Sequence, residues 1–130
     1  MTGVPAGASA VQQLLGRYPK QKLIVLVVWE PILLTDWTPP SRSTLARVSD
    51  PRARQFWDPQ HLVAEQVSRM AKEQTSLPEP DCCKEKGFDW DEAILYASHR
   101  RSKNSRVPAF WNGPVYRAIP GLENALREQP

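Results

Sequence analysis

The sequence predicts an α/β fold, and three features predict it. The first is the apolar run Leu23-Ile24-Val25-Leu26-Val27-Val28-Trp29, rich in β-branched residues and bounded by Lys22 and Glu30-Pro31, the pattern of a strand buried on both faces. A strand covered twice needs a layer on each side, which places it at the centre of a sheet between helices. The second is helical spacing on either side of that run, with Val11, Leu14 and Leu15 before it and Val63, Val67, Met70 and Ala71 after it. The third is size: 130 residues, 41% of them hydrophobic, can build one core without staples. A chain of this length removes roughly two thirds of its unfolded surface from water. One domain over residues 1–130 is expected.

The elements follow in order. A short amphipathic helix spans Ala8 to Arg17 and stops at Gly16 and Pro19. The central strand runs from Lys22 to Trp29, and a loop covers Glu30 to Thr38. Thr38 can cap a helix whose first turn holds Pro39 and Pro40, where no backbone N–H is required, and which reaches about Val48. Ser49-Asp50-Pro51 is a turn, and Ala53 to Trp57 a second strand. Asp58-Pro59 reads as an N-cap followed by proline at the first helical position, opening a helix to about Gln74. Residues Thr75 to Gly87 have loop composition, with two prolines and the cysteine pair. Ala93 to Ala97 is strand-like. Val107 to Trp111, Asn112-Gly113 and Pro114 to Ala118 read as strand, tight turn and strand, before a last short helix opening near Pro120.

Composition narrows the function. The 17 Lys and Arg against 14 Asp and Glu leave a net charge of only +3. The one basic cluster, His99 to Arg106, has no interleaved aromatics of the kind that stack bases, so no nucleic-acid partner is expected. The longest apolar run is seven residues, far short of a membrane span, and no secretory signal is legible at the N-terminus. The expectation is no membrane partner and a cytoplasmic location. No phosphate-cradling glycine loop, nucleophile elbow or four-ligand zinc set can be assembled, so neither a cofactor nor a metal is expected. His61, three residues after Asp58, could bond that carboxylate, and Glu30 and Asp36 are expected as solvated acids.

The order helix, central strand, helix, strand, helix, hairpin, helix resembles the thioredoxin-like fold, a three-layer α/β architecture. Asp36-Trp37-Thr38-Pro39-Pro40-Ser41 follows the central strand where thioredoxins carry Trp-Cys-Gly-Pro-Cys, with Trp37 and Pro40 aligned directly. Thr38 and Ser41 stand in place of the two cysteines. Val107-Pro108-Ala109-Phe110-Trp111-Asn112-Gly113 is similar to the Ile-Pro-Thr strand and Asn-Gly turn of that family, and the resemblance implies a cis Pro108 facing the site. It covers roughly residues 22–74 and 107–127, with 75–106 as an insertion before the C-terminal hairpin and helix. Thiol exchange needs a thiolate at a helix N-terminus and a second cysteine to resolve the mixed disulfide, and hydroxyls cannot substitute.

Cys82 and Cys83 are the only cysteines. Adjacent thiols can close a vicinal disulfide or bind a soft metal. Glu79 and Asp81 on one side and Lys84 and Lys86 on the other nearly cancel, so a functional pair and an ordinary loop pair both remain open. Of the five tryptophans most are expected in packing, with those near Thr38 and Pro108 lining a groove. Two functions follow from the resemblance. One is thiol redox through Cys82 and Cys83, with Trp37, Thr38, Ser41 and Pro108 as the adjoining groove and a thiol or protein partner. The other is a non-catalytic module binding a protein or peptide in that groove.

Overall fold

The structure, a computed structural model, describes residues 3–31, 38–73, 80, 82–83, 90–96 and 108–129, with the side chains of 3–5 and 71–72 excepted. Asp36, Trp37, Val107 and the basic cluster His99 to Arg106 lie outside the described residues. The elements are α1 (Gly3–Arg17), β1 (Val25–Trp29), α2 (Arg42–Leu45), β2 (Ala53–Trp57), α3 (Leu62–Glu73), β3 (Ala93–Leu95), β4 (Phe110–Asn112) and α4 (Val115–Arg127), a mixed α/β arrangement. β1 and β2 run parallel, with Val25 opposite Ala53 and Trp29 opposite Trp57. β3 and β4 run antiparallel, with Ala93 opposite Asn112 and Leu95 opposite Phe110. Among the described residues no helix is long and apolar enough to cross a membrane.

Arg52, just before β2, joins the first half of the chain. Its guanidinium donates to the carbonyls of Leu15 at 2.8 Å, Tyr18 at 2.7 Å and Gln21 at 2.8 Å, and to both oxygens of Asp50 at 2.9 and 2.8 Å. The carbonyls in and just after the last turn of α1 therefore meet a cation, as the helix dipole favours. The Arg52 carbonyl accepts from Val25 N at 3.0 Å and starts the β1–β2 ladder. Gln55 does similar work inside β2: its amide donates to the carbonyls of Leu45 and Val48 and accepts from Trp29 Nε1 at 2.8 Å. α1 and α4 pack through the buried Leu14, Leu15, Ala118 and Leu126. Glu123 binds their ends together by accepting from Arg17 and Tyr18, each at 2.8 Å.

Four expectations are corrected. α2 is one turn long and is capped by Ser41, whose Oγ accepts from Thr44 N at 3.2 Å; Thr38 does not cap it. Each of Thr38 and Pro39 precedes a proline, which disfavours helical backbone at both, and the helix begins after Ser41. α3 starts at Leu62, so Pro59 is not its first residue; Asp58 reaches across the turn to accept from Leu62 N at 3.1 Å and Val63 N at 2.9 Å. β1 is not buried on both faces, since Leu26 is 61% exposed and, among the described residues, β1 pairs only with β2.

The fourth correction is at the C-terminus, where Pro114 to Ala118 is not a strand. α4 begins at Val115, with Pro114 as N-cap and Pro120 in its interior. Val115, Ala118, Leu122 and Leu126 share one helical face, and Asp91 Oδ1 supplies the cap that proline lacks by accepting from Val115 N at 3.3 Å. β4 therefore pairs with β3, so residues 75–106 are not a mere insertion but contain a strand of the fold. The Gly113–Pro114 peptide is cis, while the Val107–Pro108 bond lies outside the described residues.

Two stability effects follow. Arg52→Lys keeps the charge but loses the fork, and should lower the thermal midpoint by roughly 5–10 °C, with Arg52→Ala lower still, read by calorimetry. Hydrogen bonds from Arg52 hold the Asp50 carboxyl at about 2, and those from Arg17 and Tyr18 hold Glu123 at about 2. Both folded values lie below the ordinary carboxylate range. Their contribution is present at neutral pH and is lost as pH falls from about 4.5 towards 2, so the denaturant midpoint should drop in that window, and less steeply in Asp50→Asn.

Candidate functional site

Cys82 is half-buried and Cys83 is 5% exposed. Cys83 takes a left-handed backbone, φ 72°, and its carbonyl accepts from Trp90 N at 2.9 Å, which ties the pair to the segment leading into β3. The two sulfurs lie within bonding distance of each other as a vicinal disulfide. Cys83 packs against the turn between β4 and α4. A Cβ placed on Gly113 would stand 3.2 Å from Cys83 Sγ and 2.7 Å from the Asp91 carbonyl oxygen, so only glycine allows this approach. The pair thus sits beside the start of α4, a helix of 13 residues. Partial positive charge at such an end favours a thiolate.

Acidic groups surround the same turn. Asp91, also in a left-handed conformation at φ 51°, caps α4; burial pushes its carboxyl above the ordinary value, against the lowering effect of the Val115 amide. Glu92 Oε2 accepts from Trp111 Nε1 at 2.8 Å and fixes the indole of the buried Trp111. Trp90, Asp91 and Glu92 line a cavity of about 440 Å³ together with Thr38, Trp57 and the β1 residues. The Trp90 Nε1 is buried there without a hydrogen-bond partner among the described residues. On the other side of β1 an open groove runs past Ile24, Leu26, Val63 and Tyr96.

A second polar centre lies at the carboxyl ends of the parallel strands. His61 Nδ1 and Glu30 Oε2 are 3.1 Å apart, both side chains largely buried. His61 has φ 57°, an uncommon conformation for a residue with a side chain. Its backbone N–H donates to the Asp58 carbonyl at 3.4 Å, while the Asp58 carboxylate accepts from the α3 amides and not from the imidazole. Neither acid nor histidine at this edge is simply solvated.

The structure therefore divides the residues singled out from sequence. Thr38 is exposed at the rim of the 440 Å³ cavity, and Ser41 is exposed and committed to its cap, with Ser43 and Thr44 hydroxyls each 3.0 Å away. Pro108 is buried ahead of β4, and the cysteine pair lies beyond the other end of that strand. Pro108 and Gly113 stand on either side of the three-residue strand β4, while Thr38 meets the pair's neighbours Trp90 and Asp91 across the cavity. Trp37 lies outside the described residues. Among the described residues no group of three His, Cys, Asp or Glu could hold a metal ion. Comparison with protein-family models, curated proteins and solved structures finds no match for this chain.

Three functional neighbours were missed from sequence. Trp90, Asp91 and Glu92 carry a signal only in part: Asp-Glu before an apolar triplet can be read as a cap or a turn, but nothing local says whose helix it caps. Asp91→Asn keeps an acceptor for Val115 N and removes the buried carboxyl. Because the folded value lies above 3.8, the native carboxyl is most favourable below that pH and loses its contribution as pH rises through the folded value. The asparagine variant should therefore gain stability relative to the native chain near neutral pH and not in acid, whereas Asp91→Ala should lose about 1 kcal/mol in acid and less near neutral pH, measured by urea unfolding.

Proposed function

We propose that this chain is a thioredoxin-like thiol–disulfide exchange protein whose redox pair is Cys82 and Cys83. The observation that carries the reading is the pair itself: two adjacent cysteines, one half-buried and one buried, beside the turn that leads into α4. The element order supports the thioredoxin-like assignment, with a parallel strand–helix–strand unit, a helix, an antiparallel strand pair and a final helix. The ordinary dithiol position carries Thr38 and Ser41, so in this reading the chemistry belongs to Cys82 and Cys83.

In this reading the more exposed Cys82 attacks and Cys83 resolves. The Cys82 thiolate attacks one sulfur of a substrate disulfide; that S–S bond breaks, and the departing sulfur leaves as a thiolate and takes up a proton. Cys83 then loses its proton and attacks the Cys82 sulfur, releasing the second substrate thiol. Two electrons and two protons pass from the pair to the substrate, and a second dithiol must return them. The exposed Ile24, Leu26 and Val63 along the groove favour a second reading, a module that holds a protein partner without chemistry.

Mass spectrometry of native and reduced protein decides between them. The redox reading expects a reversible loss of about 2 Da confined to the peptide holding both cysteines, with a midpoint potential of roughly −180 to −300 mV. A Cys82→Ser, Cys83→Ser double variant should fold normally and lose disulfide reduction. Two thiols that never pair would overturn the redox reading and leave the partner-binding module.

A further inference from the structure

We propose that the reduced Cys82–Cys83 pair is a binding site for monosubstituted trivalent arsenicals, an inference that rests on reading the pair as an accessible dithiol. The two residues are adjacent, their Cα atoms 3.7 Å apart, so one short ring can hold both sulfurs on a single ligand atom. The adjacent cysteines supply two sulfur ligands, and among the described residues no group of three His, Cys, Asp or Glu could hold a metal ion. Tetrahedral zinc requires more. A soft centre that already carries one organic group and has two exchangeable positions matches that supply.

The surroundings favour the same ligand class. The Asp91 carbonyl oxygen and the Glu92 side chain meet Cys83 around Gly113, and two thiolate anions on adjacent residues repel each other. Condensation with an arsenical avoids that charge. In R–As(OH)2 + 2 R′SH → R–As(SR′)2 + 2 H2O, each thiol proton leaves with an arsenic hydroxyl as water. Two As–O and two S–H bonds break, two As–S bonds form, and arsenic remains trivalent. No net charge is buried. Cys83 holds one sulfur in place against the β4–α4 turn, and the half-buried Cys82 leaves an opening for the organic group.

The probe is phenylarsine oxide, added to the full chain after reduction and removal of the reductant, with intact-mass spectrometry and a thiol titration as readouts. The expected result is a one-to-one adduct in which both thiols disappear together, stable to excess monothiol and reversed by a small dithiol. Cys82→Ser and Cys83→Ser should each weaken binding by about 100-fold or more, the loss of chelation. An adduct that consumes a single thiol, or single variants that bind as tightly as the native chain, would overturn the proposal. The thiol count is made on the native chain, so it decides even where a variant fails to fold. A chelated adduct without any reversible disulfide supports this inference and overturns the redox role, whereas a reversible disulfide with no adduct overturns this inference alone.

Discussion

The Arg52 guanidinium places its five N–H donors on three carbonyls around the end of α1 and on both oxygens of Asp50, and much of the remaining geometry hangs from that contact. Its own carbonyl accepts from Val25 N, which sets the phase of β1 against β2. A one-residue slip would turn Leu26 and Val28 to the opposite face and part Trp29 from Trp57. With the phase set, the two strands end level and Glu30 meets His61. The same contact orients α1, which carries α4 through Leu14, Leu15, Ala118 and Leu126, and α4 in turn presents its first turn to Cys83. A lysine has the charge for Asp50 but no planar fork to satisfy carbonyls on three sides.

What could be read from the sequence was local. The bounds of β2 agree with the expectation of a short run between the turn at Asp50-Pro51 and Asp58-Pro59. β3 was legible from the apolar Ala93-Ile94-Leu95. The start of α4 was not, although its apolar face is plain in Val115, Ala118, Leu122 and Leu126. Asn112-Gly113 is a strong hairpin signal, and Pro114 and Pro120 speak against a long helix, so local chemistry pointed to a turn. The deciding group is Asp91, 24 residues earlier, whose carboxylate caps the helix. Its contribution depends on β3 pairing with β4, a long-range event no window of sequence contains.

The site was legible as chemistry and not as place. Adjacent cysteines announce a dithiol wherever they fall, but only the fold sets them beside Gly113. Glu30 and His61 looked unremarkable because each follows a different strand and their meeting requires a parallel pairing in register. Thr38 and Ser41 show the converse. Their positions after the central strand were anticipated, yet the paired prolines moved the helix start and left Ser41 as a cap and Thr38 at a cavity rim.

Gly113 links these strands of the argument. At that point Cys83 Sγ, the Asp91 carbonyl and the Glu92 side chain converge on a space too small for a methyl group. Asp91 caps α4, Glu92 anchors Trp111 in β4, and Cys83 is the buried member of the cysteine pair. The three contacts constrain one another, because close-packed interiors shift as units and do not deform smoothly. Cys83 is thus part of the packing of the second half of the fold. Arg52 holds the first half through contacts of its own.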